Sequence, residues 1–586
     1  MSLKQLVEQW LLWDRNPETR NVIEKLYKSG DEDQLQLLLA HRMEFGTAGL
    51  RAKMGPGNSQ MNPLTIIQTT QGLAAYMKTT FTSDQLSSKG VVIGFDGRHG
   101  SSYFARLAAN VFLNAGIRTF LFGKVVPTPF VPFTIRQMGC VVGLMITASH
   151  NPKEDNGYKV YWNNGSQIIP PHDKNISKSI MENLVPLDSS WELTPGVTDP
   201  FDKIWLEYFA TLKSEYKPLT ADYSVKFTYT PLHGVGCPFT LNALETVGIK
   251  RKDISVVSLQ AEPNPDFPTV KFPNPEEGAG TLSLAMETAN EAGSNYILAN
   301  DPDADRLAIA ERQKDGTWRI FNGNEIGALL GWWTIFHARK CGESLENCYF
   351  LSSTVSSMIL RSIATKEGIH FEETLTGFKW MGSLAESLSR ESSARVILAF
   401  EEAIGYMFGT RVLDKDGVTA AAVVADMIGY IKKEENEKQL SEKLMEIYQT
   451  YGYHFTCNSY VIAKDPSRVK EMFKAIGIMN SGSYPVEVAG ARVLHIRDLA
   501  TGLDTRKPDR RATLPVSASS PMLTFYFDNG VTMTLRGSGT EPKLKWYAEL
   551  ITDDASREKE FSVFVDEVVE ELVRPTYYNF IRRSKM

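Results

Sequence analysis

The chain has 586 residues, 42% hydrophobic and 23% charged, and its 63 Lys plus Arg against 69 Asp plus Glu leave a formal charge of −6. That is globular composition too long for one core, and about 100–200 residues per domain gives three or four domains. The acidic balance argues against a nucleic-acid partner; no apolar run approaches the roughly 18 residues of a membrane span, and MSLKQLVEQW is too charged for a signal peptide, so the cytosol is expected.

Amphipathic spacing predicts three helices over the first 40 residues, in LKQLVEQWLLWD, NVIEKLYKS and DEDQLQLLLAHR. EFGTAGLRAKMG, from Glu44, reads as a Gly-rich polar loop, followed by the helix TIIQTTQGLAAYMKTT, the strand VVIGF (91–95), the loop DGRHGSS and the helix YFARLAANVFLNAG. Strand, tight loop and helix in that order are α/β punctuation. VVGLMI (141–146) is the next strand and runs into TASHNPKEDNG (147–157). A polar, Pro-rich stretch over 185–222 separates this unit from one beginning SVKFTYTPLHGVG, whose strand YILA (296–299) ends in NDPDADR. A third unit holds FNGNEIGALLGWWTIFHARK, a loop passing into a long helix, the strands YFLSSTV and VILAF (396–400), the loop EEAIGY and the helix TAAAVVADMIGYIKK. The tail alternates as strands, YPVEVAGARVLHIRD, MLTFYFDNG and VTMTLRG, and closes with the helix EKEFSVFVDEVVEELV, an α+β pattern. The expected domains are 1–215, 216–325, 326–450 and 451–586. Cys140, Cys237, Cys341, Cys348 and Cys457 have no zinc-site spacing and read as buried free thiols.

Four loops carry chemistry. In NDPDADR, an extended backbone would direct Asp301, Asp303 and Asp305 to one side, and three crowded carboxylates invite a cation, Mg²⁺ rather than zinc because every donor is oxygen. A plain surface turn is the alternative. In TASHNPKEDNG, Ser149 beside His150 suits covalent uptake of a phosphoryl group, with Lys159 offsetting its charge; a turn with a helix cap is the bland reading, and no GxSxG elbow supports hydrolysis. Glu401 and Glu402 end a strand where a polyol could find paired acceptors, Lys415 and Asp416 follow in the same excursion, and TGFKWMG places Lys379 and Trp380 in a Gly-bounded loop; an ordinary charged hairpin competes. LRGSGTEPKLK offers Arg536, Ser538, Gly539, Thr540, Lys543 and Lys545 to a phosphate dianion, without being a P-loop, and a solvated turn is its alternative. Together they suit a phosphorylated sugar held at both ends, since a simple phosphatase needs no second phosphate grip.

From about residue 41 onward the chain resembles the α-D-phosphohexomutase superfamily, through GTAGLR (46–51), TASHNPKEDNGYK (147–159), DPDADR (301–306), TGFKWMG (376–382), the EE pair with its later KDG (401–417) and RGSGTEPK (536–543). Pro302 in DPDADR, with TASHNPKEDNGYKVYW and TGFKW, looks most like the phosphopentomutase and phosphoglucomutase type 2 branch. The resemblance implies three related mixed α/β domains plus a C-terminal α+β domain in a four-domain, heart-shaped arrangement. It implies that Ser149 is a phosphoserine holding Mg²⁺ with Asp301, Asp303 and Asp305, that His150 and Lys159 assist the transferred phosphoryl, and that Arg51 and Arg306 steady the loops. Gly377, Phe378, Lys379, Glu401 and Glu402 would meet the sugar, Lys415 would sit near the proton-transfer position, and Arg536, Ser538, Gly539, Thr540 and Lys545 would clamp the non-reacting phosphate. The implied activity interconverts ribose or deoxyribose 1- and 5-phosphates and glucose 1- and 6-phosphates through a bisphosphate, with glucose 1,6-bisphosphate or ribose 1,5-bisphosphate as activator. Partners would be small phosphorylated sugars, not nucleic acid or membrane, and the chain a monomer or weak homodimer. The alternative is a glucose 1,6-bisphosphate synthase fed by 1,3-bisphosphoglycerate. Ala403-Ile404 departs from the serine that hexose-specific members often carry after the glutamates.

Overall fold

The computed structural model describes every residue except 47–48, 193–194, 221–224, 478–482, 518–519, 538–542 and 583–586. Two compact units emerge, one of residues 1–326, 333–349 and 377–441, the other of 327–332, 350–376 and 442–586.

The first unit opens with three short helices, Leu3–Trp13, Pro17–Ser29 and Glu32–Leu39, each started by a side-chain cap from Ser2, Asn16 or Asp31. Their apolar stripes enclose a small core of Val7, Trp10, Ile23, Leu35 and Leu39 with Leu64. Two five-stranded sheets then repeat one topology. In the first, Val91–Phe95 pairs in parallel with Thr119–Leu121 and Val142–Ile146, and Val142–Ile146 turns back into antiparallel Asp155–Trp162. In the second, Phe227–Thr230 pairs in parallel with Ile254–Val256 and Tyr296–Ala299, which turns back into antiparallel Ala308–Arg312. A third such reversal joins Arg395–Glu401 to Gly405–Met407. Serine, aspartate and glutamate loops thus occupy equivalent reversals, each at the carboxyl end of its strand, where ligands of α/β sheets gather.

Three local readings need correction. The segment from Glu44 is not all loop: Leu50–Lys53 is the edge strand of the first sheet, antiparallel to Asp155–Trp162. Four residues are too few to show alternation, and the partner lies a hundred residues away. The Pro-rich stretch contains the helix Phe201–Glu215, whose Ile204, Tyr208 and Leu212 recur at helical spacing and are buried. TGFKWMG is not a free loop, because the helix Phe378–Ser392 begins at Phe378, directly after Gly377 at φ 109°. Two cysteines, Cys140 and Cys348, are buried as expected, while Cys237, Cys341 and Cys457 are partly exposed; all five are free. Helices Pro63–Thr80 and His172–Glu182 approach so closely that a Cβ on Gly72 would lie 2.4 Å from the Ile180 Cα.

The second unit is built on an eight-stranded sheet ordered Glu487–Val488, Ala491–Asp498, Met522–Phe527, Val531–Gly537, Lys543–Thr552, Tyr453–Ala463 and Phe580–Arg582, with Leu503–Asp504 beside Ala491–Asp498. One face buries Phe525, Met533, Leu535 and Leu544 against the helix Glu558–Val568. The opposite face is polar. There buried Arg497 pairs with Glu373 at 2.8 Å. Burial pushes the Glu373 carboxyl up, but the Arg497 guanidinium, with the Thr354 hydrogen bond, outweighs it and holds the group below its ordinary 4.5. A depressed folded value contributes stability above the unfolded one and loses it as pH falls through the folded one. Urea melts should therefore show acid destabilisation setting in below about pH 4.5 that is smaller in Glu373→Gln; identical pH profiles would contradict the pairing. Among the described residues no helix is long and apolar enough to cross a membrane.

Candidate active site

Ser149 lies in the first reversal with a left-handed backbone, φ 54°, as do Ala304 (52°) in the second and Ile404 (52°) in the third. A non-glycine residue there costs on the order of 1–3 kcal/mol, so neighbours must hold it. The Thr147 hydroxyl accepts the Ser149 N–H at 2.8 Å and itself donates to Asp96 at 2.6 Å. Arg98, 4% exposed, donates to the carbonyls of Ser149 and Asn151 at 2.6 Å each, of Pro152 at 2.8 Å and of Asp155 at 3.3 Å, and pairs with Asp96 at 3.3 Å. Burial pushes Asp96 up and Arg98 down against that attraction. Losing one partner of such a pair costs about 3–5 kcal/mol. Arg98→Met should lower urea stability by about that much; a loss under ~1 kcal/mol would show that the loop needs no clamp. Asp96 and Arg98 escaped the sequence reading, although DGRHGSS leaves the carboxyl end of a strand as the other loops do.

The Ser149 Oγ donates to Asp301 Oδ2 at 3.0 Å and lies 3.2 Å from His150 Nδ1. Asp301, Asp303 and Asp305 are fully buried, with one oxygen of each within 4.8 Å of the others. The backbone is not extended: Ala304 turns it, and the carboxylates converge around that turn rather than by strand alternation. Lys159 donates to Asp303 at 2.8 Å and Asp305 at 3.2 Å, and Thr128 donates to Asp303 at 2.6 Å. Burial, then Asp303 and Asp305, pushes the Asp301 carboxyl well above the ordinary range. Burial would raise Asp303 too, but the Lys159 ammonium outweighs it and holds Asp303 low. His150 is pushed well down by burial and by the charges of Arg306 and Arg51, so its imidazole is neutral.

Arg306 donates its N–H to Asp301 at 3.0 Å and its guanidinium to Glu276 at 3.2 Å. The second and third reversals meet where Leu307 N–H reaches the Ile404 carbonyl at 3.1 Å. Lys415 closes the group, 3.0 Å from Asp305 and 3.4 Å from Asp414, its ammonium 5.5 Å from the Phe378 ring centroid. Its stem crosses Gly405, where a Cβ would lie 2.3 Å from the Lys415 Cδ, so a side chain there would push Lys415 aside. Burial would lower Lys415, but Asp305 and Asp414 outweigh it and keep the ammonium protonated. Asp414, fixed by Tyr161 at 2.7 Å and Gln167 at 2.9 Å, is another residue the sequence reading passed over.

The other expected residues divide. Arg51 donates to Asn151 at 3.2 Å beside the serine loop. Glu401 accepts the Gly377 N–H, joining the two expected sugar loops, while Glu402 is half-buried and Lys379 lies 5.8 Å from the Trp380 ring centroid. Asp416 turns inward as the cap of the helix Gly417–Glu434. In the second unit Arg536 stands directly opposite Lys545 in antiparallel register, its neighbour on one sheet face. Lys543, two residues before Lys545, holds its ammonium 5.0 Å from the Tyr460 ring centroid. Ser538, Gly539 and Thr540 lie outside the described residues.

The chain matches the family models described as phosphoglucomutase/phosphomannomutase alpha/beta/alpha domains I, II and III, at residues 42–184, 204–316 and 322–451. It is 47% identical to the phosphopentomutase of Homo sapiens, with 98% of this chain and 97% of that one covered. It is 44% identical to the glucose 1,6-bisphosphate synthase of Homo sapiens, with 99% and 96% covered. The solved structure of a putative phosphomannomutase from Thermus thermophilus shares the fold, at TM-score 0.65 and 18% identity over 92% of this chain and 99% of that one. Three α/β domains followed by a sheet domain, with identity near one half over almost the full length, make this chain an enzyme of the phosphoglucomutase/phosphomannomutase family, within the α-D-phosphohexomutase superfamily.

Proposed function

We propose that the enzyme is a phosphopentomutase that also handles glucose phosphates, moving a phosphoryl group between two positions of one sugar by way of Ser149. The observation that carries this reading is the Ser149 hydroxyl 3.0 Å from a buried triad of aspartates. The donor set fits Mg²⁺: all ligands are oxygen, and Asp303 Oδ1 and Asp305 Oδ1 are buried without a hydrogen-bond partner among the described residues. When bound there by Ser149, Asp301, Asp303 and Asp305, the ion would neutralise charge on the phosphoryl oxygens.

In the forward half-reaction the phosphoryl leaves the Ser149 Oγ as a sugar hydroxyl oxygen bonds to phosphorus and gives up its proton. The bisphosphate turns over in place and returns its other phosphoryl to Ser149. Lys159, with its ammonium beside Asp303, offsets negative charge at the transfer site, and neutral His150 next to Ser149 has a nitrogen able to take a proton. Lys415, kept as an ammonium, suits hydrogen-bond donation to the reacting sugar oxygen. Arg51 and Arg306 steady the loops, and Glu401, Glu402, Gly377, Phe378 and Lys379 bind the sugar. Arg536, Ser538, Gly539, Thr540 and Lys545 take the non-reacting phosphate. Glucose 1,6-bisphosphate or ribose 1,5-bisphosphate would prime Ser149. The free cysteines suit a reducing compartment such as the cytosol.

Parallel kcat/KM measurements on ribose 1-phosphate and glucose 1-phosphate, with Mg²⁺ and catalytic glucose 1,6-bisphosphate, test the substrate order. Ribose 1-phosphate should lead by about tenfold or more; a lead for glucose 1-phosphate would overturn it. The similarity to a glucose 1,6-bisphosphate synthase supports a second reading. Net release of bisphosphate from 1,3-bisphosphoglycerate and glucose 1-phosphate, faster than either mutase reaction, would establish that one instead.

A further inference from the structure

Away from the serine and aspartate loops, the first unit holds a cavity of 390 Å³, a volume typical of small-molecule sites. It opens between the helix Gly323–Lys340, the end of the helix Phe201–Glu215 and the strand Arg395–Glu401, and its walls include Tyr216, Phe408 and Ile397. The Tyr216 ring is itself braced, stacked on His337 with centroids 4.5 Å apart and planes 13° from parallel. At the polar end is Arg411, with a side chain only 7% exposed. Its Nη1 lies 3.4 Å from Glu215 and its Nη2 donates to the Thr419 hydroxyl at 2.7 Å, yet its buried Nε has no hydrogen-bond partner among the described residues.

Nε–H and Nη2–H share one edge of a guanidinium, the edge that grips an oxyanion with two parallel bonds. Here that edge is half used, inside a cavity whose remaining walls are mixed, with Tyr216, Phe408 and Ile397 facing polar groups such as Thr334, Ser389 and the Arg395–Glu343 pair. Inorganic phosphate alone would leave those walls without contacts. What favours a planar ring over a sugar is the pair of aromatic side chains, Tyr216 and Phe408, in the wall.

We propose that this cavity binds a planar heteroaromatic ring carrying a phosphate, in chemical class a nucleoside monophosphate, with the phosphate on the Nε–Nη2 edge of Arg411 and the ring against Tyr216 and Phe408. Glu215, exposed at the rim, pairs with Nη1 outside that edge, and its negative charge opposes an incoming phosphate. The site is linked to the catalytic loops. Thr419 Oγ1, which accepts from Arg411, donates to Asp416 at 2.7 Å, and Asp416 also accepts the Tyr208 hydroxyl at 2.6 Å and caps the helix Gly417–Glu434. Asp416 adjoins Lys415. A phosphate that takes Nη2 from Thr419 loosens the turn on which Lys415 is carried.

Isothermal titration of AMP into the full-length enzyme, with Mg²⁺ and saturating glucose 1,6-bisphosphate, tests the site without relying on the mutase reading. One AMP should bind per chain, Arg411→Met should weaken it by about tenfold or more, and Glu215→Gln should tighten it about threefold. Ser389→Trp fills the exposed rim, so it should abolish binding while melting and basal activity stay unchanged. Four results would each overturn the site: no binding, binding lost to glucose 1,6-bisphosphate, binding indifferent to Ser389→Trp, or inorganic phosphate binding as tightly as AMP. Bound AMP should also change kcat in the wild type but not in Ser389→Trp; an unchanged wild-type kcat with AMP bound would remove the link to Lys415.

Discussion

Ser149→Ala should lower kcat/KM for every sugar phosphate by at least about a thousandfold, ~4 kcal/mol of transition-state free energy, while the melting temperature barely moves. The hydroxyl is the only part of the side chain that alanine lacks. The left-handed backbone is equally strained for alanine, and the Thr147 and Arg98 contacts go to the Ser149 main chain, so the loop keeps its frame. What goes is the phosphoryl acceptor and its 3.0 Å hydrogen bond to Asp301. Retention of a tenth or more of wild-type activity would mean that transfer runs directly from one sugar oxygen to another.

Asp303→Ala should be nearly as severe, about a hundredfold or more in kcat, with an apparent Mg²⁺ requirement raised so far that excess ion does not restore the rate. Asp303 is the hub of the cluster: one oxygen takes Lys159 and Thr128, and the other is buried without a partner among the described residues, a lone pair left for a cation. Alanine leaves Lys159 paired with Asp305 at 3.2 Å. Asp303→Asn keeps the shape but not the charge, so it should share the raised Mg²⁺ requirement with less loss of stability. Wild-type Mg²⁺ dependence in either variant would place the ion elsewhere.

Both variants fall on residues that the sequence shows plainly, and the reason is local. Ser149 and the three aspartates each follow a short apolar strand and sit among turn-forming neighbours, so hydrophobic pattern and motif point to the same position. What the sequence hides is non-local. The Asp96–Arg98 pair serves the serine loop from another strand end, and nothing in DGRHGSS announces which carbonyls Arg98 reaches. Leu50–Lys53 becomes a strand only because Asp155–Trp162 lies beside it. The aspartates do converge, but through the turn at Ala304, which alternation could not foresee. TGFKWMG looked like a loop because its glycines dominate, whereas Phe378 already starts a helix and places its ring under Lys415.

On the proposed mechanism the phosphoryl group travels on Ser149. Intact-mass and peptide-mapping spectrometry of the enzyme, quenched in acid after brief incubation with glucose 1,6-bisphosphate and Mg²⁺, reads this directly. One phosphoryl group on the peptide containing Ser149, discharged when glucose 1-phosphate or ribose 1-phosphate is added before the quench, is the expected result. An active enzyme that carries no phosphoryl there, or one that added sugar monophosphate does not discharge, would contradict it.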